Sequence, residues 1–266
     1  MRTDFFEDIQ ILPRGRYLQV AYRMRLTDNA IIRSNDPEEV LTHRYEKLSQ
    51  RFIVPWRKVK GKLRRIILEK QRDLGISPEC ALKDDLCLQC PTCCLFGATG
   101  ATGGAGIDYN LLSRVLGETA ISETEVAEVS DYTANAVDEK TLTTGQALMT
   151  LISVPEGTSF LNVVTLRDPT LALTSILLDG LNRLTRLGAS TREWGRIVTE
   201  LLGYHIGDRE VLTTQDLVAN GLPKEFKADF IKWQLPEVEK SFREVNKQMV
   251  HMVKQLIGNK KKGASG

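Results

Sequence analysis

Residues 16–26, RYLQVAYRMRL, place Leu18, Val20, Tyr22, Met24 and Leu26 on alternate positions, with Gln19, Ala21, Arg23 and Arg25 between them. A period of two is a strand buried on one face. From Pro55 the period lengthens. At about 100° per residue Val59, Leu63, Ile66 and Ile67 share one arc of a helix, and Arg57, Lys58, Lys62, Arg64 and Arg65 share the opposite arc. A strand that feeds a helix in this way restricts the chain to folds in which helices cover a sheet. The pattern repeats further on. ALMTLISV (147–154) and FLNVVTL (160–166) are strand candidates joined by the turn PEGTS. DPTLALTSILLDGLNRLTRL reads as a helix with Asp168 as its cap, Pro169 at its first position and Gly188 as its stop. WGRIVTELLGYHI (194–206) reads as a last core strand. The order strand, helix, insertion, strand, strand, helix, strand is that of a ferredoxin-like sheet, so the expected class is α+β. Val238, Phe242, Val245, Met249, Met252, Val253 and Leu256 recur at spacings of three and four and predict a helical tail.

With 266 residues the chain can bury one generous core, or a core with one or two inserted lobes. The expected units are a core in two halves (1–75 and 148–210), a cysteine-rich insertion (76–110), a strand and excursion (111–147), a helical segment (211–258) and a disordered tail (259–266). The net charge of +2 hides segregation. Residues 51–72 hold nine Lys/Arg against Glu69 alone. Residues 117–139 carry only acids: Glu118, Glu123, Glu125, Glu128, Asp131, Asp138 and Glu139. Such segregation points to a polyanion surface on one part and a solvated or docking surface on another. No run reaches the ~18–20 apolar residues of a membrane span. The start, MRTDFFEDIQILPRGR, lacks the layout of a signal peptide. Five clustered cysteines suit a reducing cytoplasm better than a disulfide scaffold.

Gly61 stands inside the basic helix, where glycine costs ~1 kcal/mol relative to alanine. Close approach of another backbone, or of a phosphate, would account for it. The run FGATGATGGAG (96–106) contains no phosphate-loop signature and reads as a flexible loop. His43, His205 and His251 are scattered, so no nucleophile–histidine arrangement stands out.

Three stretches carry a resemblance. IVPWRKVKGKLRR (53–65) is similar to the pattern that opens the first helix in many CRISPR proteins of the RAMP superfamily. Pro55, Val59, Lys60, Gly61, Leu63 and Arg64 fit it, while Trp56, Arg57 and Lys58 replace a glycine and two serines. LGASTREWGRI (187–197) resembles the superfamily's glycine-rich loop before the last strand. Gly188, Ser190, Thr191, Gly195 and Arg196 fit, and Trp194 stands where a small residue or tyrosine is more usual. CPTCCLFG (90–97), together with LTDNAIIRSND (26–36), resembles the type I-D Cascade backbone-subunit family with its zinc-bearing insertion. The resemblance spans roughly residues 16–206. It implies a modified ferredoxin-like or RRM core with an inserted zinc-binding lobe, a thumb hairpin at about 122–147 and a C-terminal helix. It also implies a cytoplasmic subunit that polymerises head to tail along a CRISPR RNA beside other Cascade subunits, away from membranes. The guide is thereby presented for pairing with foreign DNA or RNA, and the thumb kinks it at intervals.

A cradle of this kind contacts phosphate and ribose and leaves base edges free. The residues suited to it are Arg14 and Arg16 before the first strand and Arg33 after it. The first helix adds Arg57, Lys58, Lys60, Gly61, Lys62, Arg64 and Arg65. The loop before the last strand adds Gly188, Ser190, Thr191, Arg192, Trp194 and Arg196, whose backbone would form an anion nest and whose tryptophan would stack on a base. Cys87-x-x-Cys90-x-x-Cys93, with Cys80 upstream, offers four thiolates to a tetrahedral zinc. An iron–sulfur cluster and plain reduced thiols remain as alternatives, His43 as a substitute ligand, and Cys94 as a spare, buried thiol. Two other function classes stay open. Asp28 or Asp36 would serve a metal-dependent ruler endonuclease. A zinc-braced interaction protein would bind no nucleic acid.

Overall fold

The computed structural model describes residues 4–33, 41–76, 79–81, 86–99, 110–126, 130–137 and 144–263. The period-two stretch is β1 (Tyr17–Leu26). A hairpin of β2 (Thr42–Arg44) and β3 (Gln50–Val54) follows, and α1 (Trp56–Asp73) starts directly after Pro55. Next come α2 (Pro91–Phe96), β4 (Ala98–Thr99), β5 (Asn110–Leu111), β6 (Val115–Gly117) and β7 (Ala120–Ser122). Then follow β8 (Ser130–Val137), β9 (Thr144–Ser153), β10 (Ser159–Arg167), α3 (Leu171–Asn182) and β11 (Ile197–Gly207). The chain closes with α4 (Thr214–Asn220), a 3-10 turn (Phe230–Trp233) and α5 (Val238–Gly263). Among the described residues no helix is long and apolar enough to cross a membrane.

The architecture is mixed α+β around a mostly antiparallel sheet of order β11-β1-β10-β7-β3-β2, with β6 also paired to β10. In register, Val20 lies between Val164 of β10 and Tyr204 of β11. The alternation read from β1 decides which face each side chain takes. Leu18, Val20, Tyr22, Met24 and Leu26 enter the main core with Phe160, Val164 and Leu166. Val59, Leu63 and Ile67 of α1, Leu173 and Ile176 of α3, and Phe242, Val245 and Met249 of α5 close that core. The opposite face is covered over Ala21, Leu161 and Val163 by Leu212, Leu217 and Phe226. Gln19 pins that cover: its amide donates to the Leu212 carbonyl (2.9 Å), and its carbonyl accepts from Val211 and Leu212 (2.7 and 3.1 Å).

Several local expectations change. Asp168 does not cap α3. It is fully buried with φ +49°, and its carboxylate accepts the N–H groups of Arg14 (3.0 Å) and Arg16 (3.1 Å). Thr170 caps instead, accepting from Leu173 N–H at 3.1 Å. The helix stops at Asn182, not Gly188, because Leu184 and Leu187 turn into the core and Arg186 bridges Arg196. The strands around the PEGTS turn do not pair with each other: β9 pairs with β8 as a separate two-stranded sheet, and β10 pairs with β1. The helical tail runs on to Gly263, past the expected boundary at 258.

Candidate nucleic-acid interface and thiol cluster

Three stripes of α1 have different fates. Val59, Leu63 and Ile67 face the core, where Gly180 of α3 lets the helices meet; a β-carbon there would lie 2.9 Å from Leu63 Cδ1. Arg64, Leu68 and Gln71, spaced by four and three, are also buried. Leu68 joins the cysteine core, and Gln71 Oε1 accepts from Thr92 N–H (3.2 Å) and its hydroxyl (2.8 Å). Arg57 and Arg65 remain exposed.

This corrects the helical wheel at one residue. Arg64 was expected on the solvated arc, yet only 8% of it is exposed. Its Nε and Nη2 have no hydrogen-bond partner among the described residues. Lys60, one turn earlier on the same stripe, is half-buried, and burial together with the Arg64 charge holds its ammonium below the usual lysine range. Gly61 beside them is open: a β-carbon there would meet nothing within 4 Å among the described residues, so no described backbone explains this glycine.

The second basic feature joins α1 to the segment after α3. Lys62, Arg65 and Lys70 face Arg183 and Arg186 across a groove of about 730 Å³ that also holds Glu69 and Asp73. Lys70 pairs with Asp73 (2.9 Å) and Arg183 with Asp179 (2.9 Å). Arg186 Nη1 is buried without a partner among the described residues. Arg186 was not among the sequence candidates, although its place one residue before LGASTREWGRI put it within reach.

The glycine-rich loop is built for its own chain. Gly188 (φ +95°) and Gly195 (φ +76°) have left-handed backbones, and a β-carbon on them would lie 2.6 Å from the Ile31 carbonyl and 2.0 Å from the Leu187 carbonyl. The N–H groups of Ala189, Gly195 and Leu187 go to Ile31, Asn29 and Gly195 carbonyls. These three donors are therefore not part of an anion nest. Ser190 (φ +49°), Arg192 and Arg196 are exposed, and Thr191 and Trp194 half-buried. Arg14 and Arg16 spend their backbone on Asp168, and the Arg16 guanidinium lies 5.4 Å from the Phe6 ring. Arg33 is half-buried, its Nε without a partner among the described residues. Asp28 is half-buried; Asp36 lies outside the described residues.

The Sγ atoms of Cys80, Cys87, Cys90 and Cys93 all lie within 4.8 Å of one another. Cys80 and Cys93 are 3.4 Å apart, and Cys87 and Cys93 4.0 Å. A tetrahedron with ~2.3 Å metal–sulfur bonds has its sulfurs about 3.8 Å apart, so the set fits zinc. Cys90 Sγ accepts the Cys93 N–H at 3.4 Å, which holds the C-x-x-C turn. Hydrogen bonding with Cys87, Cys90 and Cys93 holds the Cys80 thiol well below the usual range, while hydrogen bonding with Cys80, Cys87 and Cys90 pushes the Cys93 thiol well above it. His43 is exposed on β2 with its ring against Tyr45 (4.6 Å), outside the cluster. Cys94 is buried in the main core.

These features define an antiparallel α+β protein with a cationic helix stripe and a thiol-braced lobe. Its fold is similar to the "Crystal structure of Thermofilum pendens Csc2", at 20% identity, TM-score 0.61, and 92% and 91% coverage of this chain and that one. It is also similar to a chain of a "CRISPR RNA-guided surveillance complex" (14%, TM-score 0.53, 87% and 81%) and one of a "Type IV-B CRISPR Complex" (14%, 0.51, 82% and 100%). The Csc2 Crispr family matches residues 4–264, and the chain belongs to that family. No curated protein matches it.

Proposed function

We propose that this chain is a guide-RNA-binding backbone subunit of a type I-D CRISPR effector complex, working in the cytoplasm, polymerising head to tail and presenting its guide for pairing. The observation that carries the reading is Arg64. Among the described residues, a guanidinium that is nine-tenths buried, with two N–H edges unmet and a half-buried lysine beside it, lacks an anion. A ribose-phosphate strand supplies anions at regular spacing without offering sequence, and Gly61 leaves room for it to approach. A separate groove on α1, lined by Lys62, Arg65, Arg183 and Arg186, offers further cations.

The central order β11-β1-β10-β7, all antiparallel, supports a ferredoxin-like core to which β2 and β3 are added at the edge. In an RRM the open sheet face holds RNA. Here the segment after β11 covers much of that face, which moves the interface to α1 and the loop. The hairpin β8–β9, apart from the main sheet, takes the part of the thumb. The four thiolates of Cys80, Cys87, Cys90 and Cys93 would hold zinc, whose role is to brace the lobe against α1 through Leu68 and Gln71. No catalytic role is assigned to Asp28 or Asp36; replacing each with alanine would leave guide and target lengths unchanged.

Fluorescence anisotropy of a labelled single-stranded RNA at several salt concentrations tests the reading. Affinity should fall by roughly 0.7 log units per log unit of salt for each phosphate neutralised, and the Arg64→Met protein should show a smaller slope. A flat salt response in the parent protein would overturn RNA binding and leave a braced interaction protein.

A further inference from the structure

At the end of α3 opposite the basic groove lies a pocket of the reverse character. Thr170, Leu171 and Ala172 form its floor, and its volume is about 520 Å³. Phe5 and Phe6 from the N-terminal segment and Trp233 from the 3-10 turn supply aromatic walls. Among the described residues, every charged one lining it is an acid: Asp4, Glu7 and Glu244. All three carboxylates are exposed at its rim.

Folding accounts for only part of this arrangement. Phe5 and Trp233 meet edge to face at 5.4 Å, and Trp233 also contacts Tyr204 at 4.0 Å, so the rings are held in place from behind. All three rings are only half-buried. The carboxylates do not cap the neighbouring helix, because Thr170 already accepts the Leu173 N–H. Neither Asp4 nor Glu7 has an ion-pair partner within 4.0 Å among the described residues, and Glu244 takes only a hydrogen bond from Gln248 (3.2 Å). One ring of the set is already used by a cation: the Arg16 guanidinium sits 5.4 Å from Phe6. Aromatic faces and carboxylates both attract cations, and a guanidinium satisfies both at once.

We propose that this pocket is a docking site for an arginine- or lysine-bearing segment of another protein, whose cationic side chain enters between Phe5, Phe6 and Trp233 while its charge meets Asp4, Glu7 and Glu244. An anionic nucleic acid is repelled by the same rim, so the surface is a protein interface distinct from the RNA stripe. The inference does not depend on RNA binding and survives if that reading fails.

The test uses the full chain, freed of nucleic acid, and an acetylated hexa-arginine peptide as probe. The Trp233 indole N–H signal in a proton–nitrogen spectrum, assigned by its loss in Trp233→Phe, should shift saturably as peptide is added at low salt. Glu7→Gln combined with Glu244→Gln should weaken the peptide at least fivefold while the thermal midpoint stays within 2 °C. An unmoved indole signal, or equal affinity in the double variant, overturns the proposal. So does a shift of the same signal by a hexaglutamate peptide. A shift that grows with the protein's own concentration, without peptide, and vanishes in the double variant assigns the pocket to a second copy and overturns the separate partner.

Discussion

Arg64 carries a charge that folding removes from water without giving it an anion among the described residues. Replacing an unpaired buried charge with an apolar side chain of similar volume is often neutral or stabilising. Arg64→Met should therefore leave the thermal midpoint unchanged or raise it, the equivalent of about 1–2 kcal/mol at most. The same change should weaken guide RNA at least tenfold in anisotropy. A clear loss of stability with unaltered RNA affinity would make the guanidinium a packing element. Lys60 adds a pH signature. Burial first, and then Arg64, hold it below the usual 10.5, so near that pH the unfolded chain binds more protons than the folded one. This lysine's contribution to stability then rises with pH across the window between its folded and ordinary values. A phosphate at its side pushes the ammonium back up, so RNA binding in that window should take up a proton. Calorimetry in buffers of different ionisation enthalpy reads the sign directly, and proton release would contradict the arrangement.

At the scale of elements, the glycines divide into two kinds. Gly61 lies in an open helix interior, and Gly61→Ala should stabilise the protein by about 1 kcal/mol. If a phosphate packs there, the same methyl group should weaken RNA, so stability and affinity move in opposite directions. Gly195 is the reverse case. Its left-handed backbone and the Leu187 carbonyl 2.0 Å from a would-be β-carbon leave no room, and Gly195→Ala should cost on the order of 2–3 kcal/mol in denaturant unfolding. The periods of β1, α1 and α5 were legible because each side chain's direction follows from its own backbone. The β2–β3 hairpin was not legible: its short strands, Thr42–Arg44 and Gln50–Val54, carry too few alternations to register as a pattern. The cap of α3 was misread for another reason. Asp168 and Thr170 are both good N-caps, and the choice fell to Thr170 because Arg14 and Arg16, over 150 residues away, claimed the aspartate.

At the scale of the molecule, the thiol cluster couples the lobe to the helix that we take to bind RNA. Cys93→Ser should reduce bound zinc, measured by elemental analysis, from one ion per chain towards none, and lower the thermal midpoint. Because Gln71 and Leu68 tie the lobe to α1, RNA affinity should fall with it; unchanged affinity would show the lobe to be a separate brace. The sequence by itself determined the strand and helix periods, the run of cations on α1 and the set of four thiols. All of these follow from residue type and spacing along a single backbone. Only the tertiary structure decided that Arg64 leaves the solvated arc, that Arg186 joins Lys62 and Arg65 around one groove, and that acids and rings gather at the far end of α3. Burial and charge balance depend on which distant segments pack together, and spacing along one element carries no record of its neighbours.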